Sequence, residues 1–161
     1  MEIRNTDHVS ASPEKVAELF CSEEFLVRAH AAREEVASAR YEVVEDSERG
    51  LIIAVRCEQY RRKKTGGLDR IHTDSTAIIY RWNRGSNRAE WRFEGHDADK
   101  IQIGGVTAFE PDGANTRVVE VVRVDVRLPL IGRLIERVVG KSIDRTFDAN
   151  RGLVRELLGT D

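Results

Sequence analysis

Along the chain the spacing of apolar positions changes twice. Near the start, Val16, Leu19 and Phe20 follow one another at helical spacing in "SASPEKVAELF". From about residue 36 the spacing becomes that of strands. The segments "ARYEVVE", "GLIIAVRCEQY", "STAIIYRW", "RAEWRFEGH", "IQIGGVTAFE" and "TRVVEVVRVDVRL" are rich in β-branched and aromatic residues. Turn signals separate them: "DSERG", "KKTGGLD", "NRGSN", "HDAD" and "PDGAN". From about residue 130 helical spacing returns and holds to about residue 158.

These periods predict an order of elements. Residues 2–10 read as a first strand. Ser12 then caps a short helix with Pro13 at its first position, where a missing N–H costs nothing. Ser22 caps a second, with Glu23 and Glu24 in its first turn, where the helix dipole favours acids. Six strands follow, and their short connections favour antiparallel hairpins. Gly104 and Gly105, inside a strand pattern, suggest a bulge or sharp bend. A last helix of about 28 residues would span roughly 42 Å. No other element is long enough to cover a face of such a sheet, so this helix is expected to lie across a strongly curved sheet.

On a helical wheel, Ile131, Leu134, Ile135, Val138, Val139, Ile143, Phe147, Leu153, Val154 and Leu157 share one side of the final helix. Arg133, Arg137, Lys141, Asp144, Asp148 and Arg151 share the other, the pattern of a helix docked by one face. Ser142, Thr146 and Asn150 interrupt the apolar side at intervals of four. A dry core penalises an amide without partners, and a wet cavity wall does not. The alternative is local: Ser and Thr bond back to the i−4 carbonyl, and Asn150 reaches a strand or solvent. In the last strand Val118, Glu120, Val122, Val124 and Val126 share a face. If that face looks toward the helix, Glu120 points inward, with a raised pKa or a basic partner. A bulge after "PDGAN", or a place at the sheet rim, would leave it solvated instead. Ile53 and Val55, Trp91 and Phe93 are expected on the inner wall.

Composition narrows the function. At 161 residues the chain is expected to form a single domain over 1–161, with 40% apolar residues for a core. A net charge of −2, from 26 basic and 28 acidic residues, gives no global attraction for nucleic acid. The cluster Arg61, Arg62, Lys63 and Lys64 could attract an anion, but lacks the spacing of a phosphate loop and suits a solvated hairpin end. Two cysteines without metal spacing, Cys21 and Cys57, read as reduced thiols. With no apparent signal peptide and no apolar run of about 20 residues, a cytoplasmic location without an integral membrane segment is expected. "HDAD" mimics metal spacing at a turn, and Ser12 with Lys15 mimics a hydrolase pair that capping explains. No metal, cofactor or catalytic signature is expected.

Three stretches also carry a resemblance: "HVSASPEKVAELFCSEEF", "TAFEPDGANTRVVEVVRVDVRLPLIG" and "GRLIERVVGKSIDRTFDANRGLVRELL". The chain resembles the START-like superfamily of helix-grip proteins, which includes polyketide cyclases, and within it a bacterial branch of unknown function. The resemblance implies an α+β helix-grip fold: a curved antiparallel sheet of six to seven strands around a long C-terminal helix, with two short helices after the first strand. It implies an internal cavity for lipids, sterols or polyketide-like molecules, and brings no catalytic residue with it. The expected function is binding or transport of a small hydrophobic or amphipathic ligand. Its expected contacts are Ser142, Thr146, Phe147, Asn150, Trp91, Phe93, Ile53, Val55 and Glu120. The alternatives are a cyclase- or dehydratase-like enzyme, with Glu120 as its acid or base, and an interaction module with a collapsed cavity.

Overall fold

The computed structural model describes residues 1–159. Strand β1 (Glu2–Val9) leads into α1 (Pro13–Phe20) and α2 (Glu23–Ala31). Six strands follow: β2 (Val36–Asp46), β3 (Gly50–Arg62), β4 (Leu68–Asn83), β5 (Arg88–Glu94), β6 (Ile101–Asp112) and β7 (Asn115–Val126). Helix α3 (Gly132–Leu158) closes the chain, unbroken over 27 residues. The two serine caps act as the sequence implies. Ser12 Oγ accepts from Lys15 N at 3.4 Å, and Ser22 Oγ accepts from Phe25 N at 3.2 Å.

The strands form one antiparallel sheet in the order β1-β7-β6-β5-β4-β3-β2. After β1 the chain passes through α1 and α2 to the opposite edge, then returns strand by strand until β7 lies beside β1. This is the helix-grip architecture. The register shifts at Val36/Ser38, Val43/Glu45 and Tyr60/Arg61, each adding local twist. The pairing of β6 with β7 runs without a shift through Gly104 and Gly105, so the expected bulge is absent there. The glycine at 105 has another cause. A Cβ would stand 2.8 Å from the Trp91 ring, which lies against the bare backbone. Strand β4 starts earlier than its apolar pattern shows, because Leu68 and Asp69 extend the hairpin with β3.

Two clusters make up the interior. In the larger, Val16, Ala17, Phe25 and Leu26 of α1 and α2 pack with Ile53, Val55, Phe109 and Val118 of the sheet. Phe20 bridges them, its ring centroid 4.8 Å from that of Phe25 and 5.3 Å from that of Phe109. The smaller joins Val122, Val124 and Phe147 to Ile3, Trp91, Ile103 and Ile143. Gly140 lets α3 approach β1: a Cβ there would meet the Met1 methyl at 3.4 Å and Ile3 Cδ1 at 3.7 Å. The wheel of α3 is only partly docked. Ile131, Leu134 and Val138, expected on the buried side, are 50%, 61% and 61% exposed.

Candidate functional site

Between the two clusters the interior is hollow. A cavity of about 360 Å³ lies between the concave face of the sheet, α2 and α3. All five phenylalanines of the chain line it: Phe20, Phe25, Phe93, Phe109 and Phe147. Trp91 and Tyr80 add two more rings. The strands supply these positions by alternation. Ile78 and Tyr80 on β4 face Phe93 and Trp91 on β5, across directly paired positions. Ligand sites of this size are commonly lined by apolar and aromatic side chains with a few placed polar groups.

Of the residues the sequence singled out, Ser142, Thr146, Phe147, Asn150, Trp91, Phe93 and Glu120 line this space. Ile53 and Val55 do not. Both are wholly buried in the packed cluster with α1 and α2, and β3 reaches the hollow only farther along, at Gln59 and Arg62. The polar positions on α3 also divide. Thr146 Oγ1 donates to the Ser142 carbonyl at 3.0 Å, so its hydrogen is held within the helix. Ser142 is exposed at the rim. Asn150 is half-buried, and its side chain has no hydrogen-bond partner among the described residues.

Glu120 points inward from β7, opposite Asn5 on β1 and Thr107 on β6. Asn5 Nδ2 donates to Glu120 Oε2 at 3.2 Å. The Asn5 amide oxygen in turn accepts from Arg151 Nη2 at 3.4 Å, and Arg151 Nε lies 3.3 Å from Asp7 Oδ2. This chain of contacts fastens the C-terminal half of α3 to β1. Burial pushes the Glu120 carboxyl above its ordinary range; the Asn5 hydrogen bond and the Arg151 charge pull it back only in part, and the Asp7 charge pushes it further up.

A second polar group was not singled out by the sequence. His30 Nε2 lies 2.9 Å from the Tyr80 hydroxyl, and His30 Nδ1 is buried with no partner among the described residues. Burial, helped by the Arg33 charge, lowers the His30 pKa to about 4, so the ring is neutral near pH 7. Burial likewise raises the Tyr80 hydroxyl, and the Glu120 charge adds to that rise. Cys21, also on the wall, is pushed up to about 12 by burial, which leaves it a thiol rather than a nucleophilic thiolate. A signal for His30 was present: it follows Leu26 by four residues and so shares the inward face of α2. Tyr80 alternates with Ile78 and Trp82 in the same way. Farther out, Arg33 and Glu35 pair at 2.6 Å on the wall. Among the described residues no cluster has the ligands for a metal ion.

The comparisons with known proteins agree with this architecture. The structure of TTHA0849 from Thermus thermophilus superposes with a TM-score of 0.67 at 22% identity, covering 100% of both chains. The Zhui aromatase/cyclase from Streptomyces sp. R1128 gives 0.64 at 13% identity, covering 98% of this chain and 95% of that one. A START superfamily protein from Mycobacterium smegmatis gives 0.61 at 16% identity, covering 97% and 98%. At these identities the likeness establishes the START-like fold. No curated protein matches the chain. A family model matches residues 4–158, and the chain belongs to that family, described as a protein of unknown function, DUF2505.

Proposed function

We propose that this protein binds a small apolar or amphipathic molecule in the cavity between sheet and helix. The observation that carries this reading is the lining: all five phenylalanines surround about 360 Å³ of space, with a few polar groups set among them. Rings around an open volume cost packing contacts that a filled core would keep. A bound ligand would restore them. The polar groups point to an uncharged ligand oxygen. Tyr80 and His30 are neutral near pH 7, Glu120 faces the cavity from β7 with its carboxyl pushed up by burial and Asp7 behind it, and the cations on the wall, Arg33 and Arg62, stand with Glu35. A ligand carboxylate beside Glu120 would meet an acidic group with the Asp7 charge behind it, whereas a ligand hydroxyl can hydrogen-bond to Glu120 or to Tyr80.

A matched pair of probes tests this. 2-Naphthol and 2-naphthoate share a ring system and differ in charge at neutral pH. Titration calorimetry should show the naphthol binding at least about tenfold more tightly, and Glu120→Gln should narrow the gap. Native mass spectrometry of freshly purified protein should show a co-purified small molecule. Failure of both probes to bind, with no molecule retained, would refute the cavity reading.

A second reading rests on the His30–Tyr80 contact of 2.9 Å in the same cavity as Glu120. A carboxyl of raised pKa and a hydroxyl held by a neutral imidazole are the parts of a proton-transfer site. A cyclase- or dehydratase-like reaction on a keto-bearing substrate would use them. If so, Glu120→Gln should abolish turnover of the recovered ligand while retaining its binding.

A further inference from the structure

The start of α3 leaves a strip of apolar surface uncovered. Leu130 is fully exposed, and Ile131, Leu134 and Val138 are at least half exposed. Spacings of three and four residues put the last three on one line along the helix. Beside that line run Arg133, Arg137 and Lys141, at intervals of four. The nearby ion pairs use other groups: Glu136 meets the Met1 amino group, Arg127 meets Asp125, and Arg151 meets Asp7 and Asp148. Among the described residues the three cations are free of carboxylate partners. From Arg127 to Lys141 the sequence holds four basic residues and one acidic, a local charge of +3 in a chain of net −2. Helix α3 also begins without a side-chain cap and without an acid in its first turn, so its positive end is uncompensated.

We propose that this surface docks on an anionic lipid bilayer. An apolar strip flanked by cations is what a helix needs to lie in an interface, with its apolar side chains among acyl chains and its cations among phosphates. Charge argues against a second copy of the chain as the occupant. An antiparallel two-fold contact through this strip would set the row of cations beside its own image. The strip is continuous with the cavity: Val138, 61% exposed, also lines it, followed by Val139 and Ser142. Docking here would set the cavity mouth against the membrane, where an apolar ligand could pass without crossing water. The docking itself does not depend on the ligand reading.

The test is co-sedimentation of the full chain with vesicles of phosphatidylcholine, alone or with a third of phosphatidylglycerol. Binding should be at least about tenfold stronger to the anionic vesicles and should weaken as salt rises. The double variant Leu134→Ser/Val138→Ser should lose binding by about tenfold, from lost apolar burial. Arg133→Gln/Arg137→Gln should lose the preference for anionic vesicles. Both variants should melt as the parent does, since all four side chains are exposed. Absence of vesicle binding would overturn the proposal, as would binding unchanged in both variants. So would a dimer, seen by light scattering, that Leu134→Ser/Val138→Ser dissociates while the parent ignores vesicles; the strip would then belong to a second copy.

Discussion

The two halves of α3 are written in the same pattern and meet opposite surroundings. In the C-terminal half Phe147 and Val154 are buried, and Leu153, Leu157 and Leu158 pack on the cluster beneath α1 and α2. Arg28 of α2 reaches Glu156 at 2.7 Å, and Arg151 reaches Asp7. In the N-terminal half Gly140 is the buried residue, and Ile131, Leu134 and Val138 face water. A helical wheel tells which residues share a side. It does not tell whether another element lies beneath that side. The cavity lies under α3 from Val138 to Asn150 and reaches the exposed strip at Val138, so the same apolar spacing that anchors one end frames an opening toward the other.

The sharpest way to break this comparison is to compare deletions at the packed and hollow ends. Ile53 is wholly buried at the packed end, so Ile53→Ala should cost about 2–5 kcal/mol. Phe93 is the larger side chain, but it already borders empty space. Phe93→Ala should cost less, about 1–2 kcal/mol, since part of its surface has no neighbour to lose. Leu134→Ala, on the exposed strip, should stay within about 0.5 kcal/mol. Urea denaturation with unchanged m-values measures all three. A loss at Phe93 equal to that at Ile53 would mean that the two ends are packed alike.

The second test is pH, because the cavity holds two groups of opposite sign. His30 has a folded pKa of about 4 against 6.5 in the unfolded chain. Between those values the unfolded state binds the extra proton, so the His30 contribution is intact above 6.5 and is lost as pH falls toward 4. The slope is about 1.4 kcal/mol per pH unit while the ring stays neutral. Glu120 works the other way. Its folded pKa is raised, so the folded state holds its proton longer, and stability falls as pH rises through that range. Arg33 faces His30, and Asp7 and Arg151 face Glu120; each enters with its own charge. Melts of the parent and His30→Gln from about pH 7 to about pH 4.5 should therefore diverge, the parent losing more. Parallel curves would show His30 to be accessible to water.

How much of this was legible in the sequence follows from the range of each effect. Caps, turns and strand alternation are local, and Ser12, Ser22 and the shared face of Val118–Val126 came out as read, while alternation alone leaves open whether that face points inward. The length of α3 and the curvature it demands were legible too, because one long helix must cover one sheet. Gly105 suggests a bulge or bend in the sequence; the register shows no bulge, and the room a Cβ would need there is taken by the Val121 carbonyl and the Trp91 ring of the neighbouring strands. His30 and Tyr80 lie 50 residues apart and meet only once α2 folds over β4, so no spacing rule pairs them. Ile53 and Val55 had the right face but the wrong depth along it. Whether an inward apolar residue meets a neighbour or a void depends on where two helices land.

Asn150 gives an expected effect on stability as small as that at Leu134, and one that separates a wet cavity wall from a closed core. Its side chain lines the cavity with no hydrogen-bond partner among the described residues. Replacing an amide that bonds a buried neighbour strands that neighbour and costs about 1–3 kcal/mol. Replacing one that faces open space strands nothing. Asn150→Leu should therefore leave the unliganded protein within about 0.5 kcal/mol of the parent. It should still alter binding, because leucine changes both the volume and the polarity of the wall. Thermal melts with and without 2-naphthol read both quantities, since a ligand raises the midpoint according to its affinity for the folded state. The expected result is an unchanged midpoint alone and a changed shift with the probe. A loss of about 1–3 kcal/mol alone, with the probe shift unchanged, would place Asn150 in a hydrogen-bonded core. The hollow half of the molecule would then end short of that turn of α3.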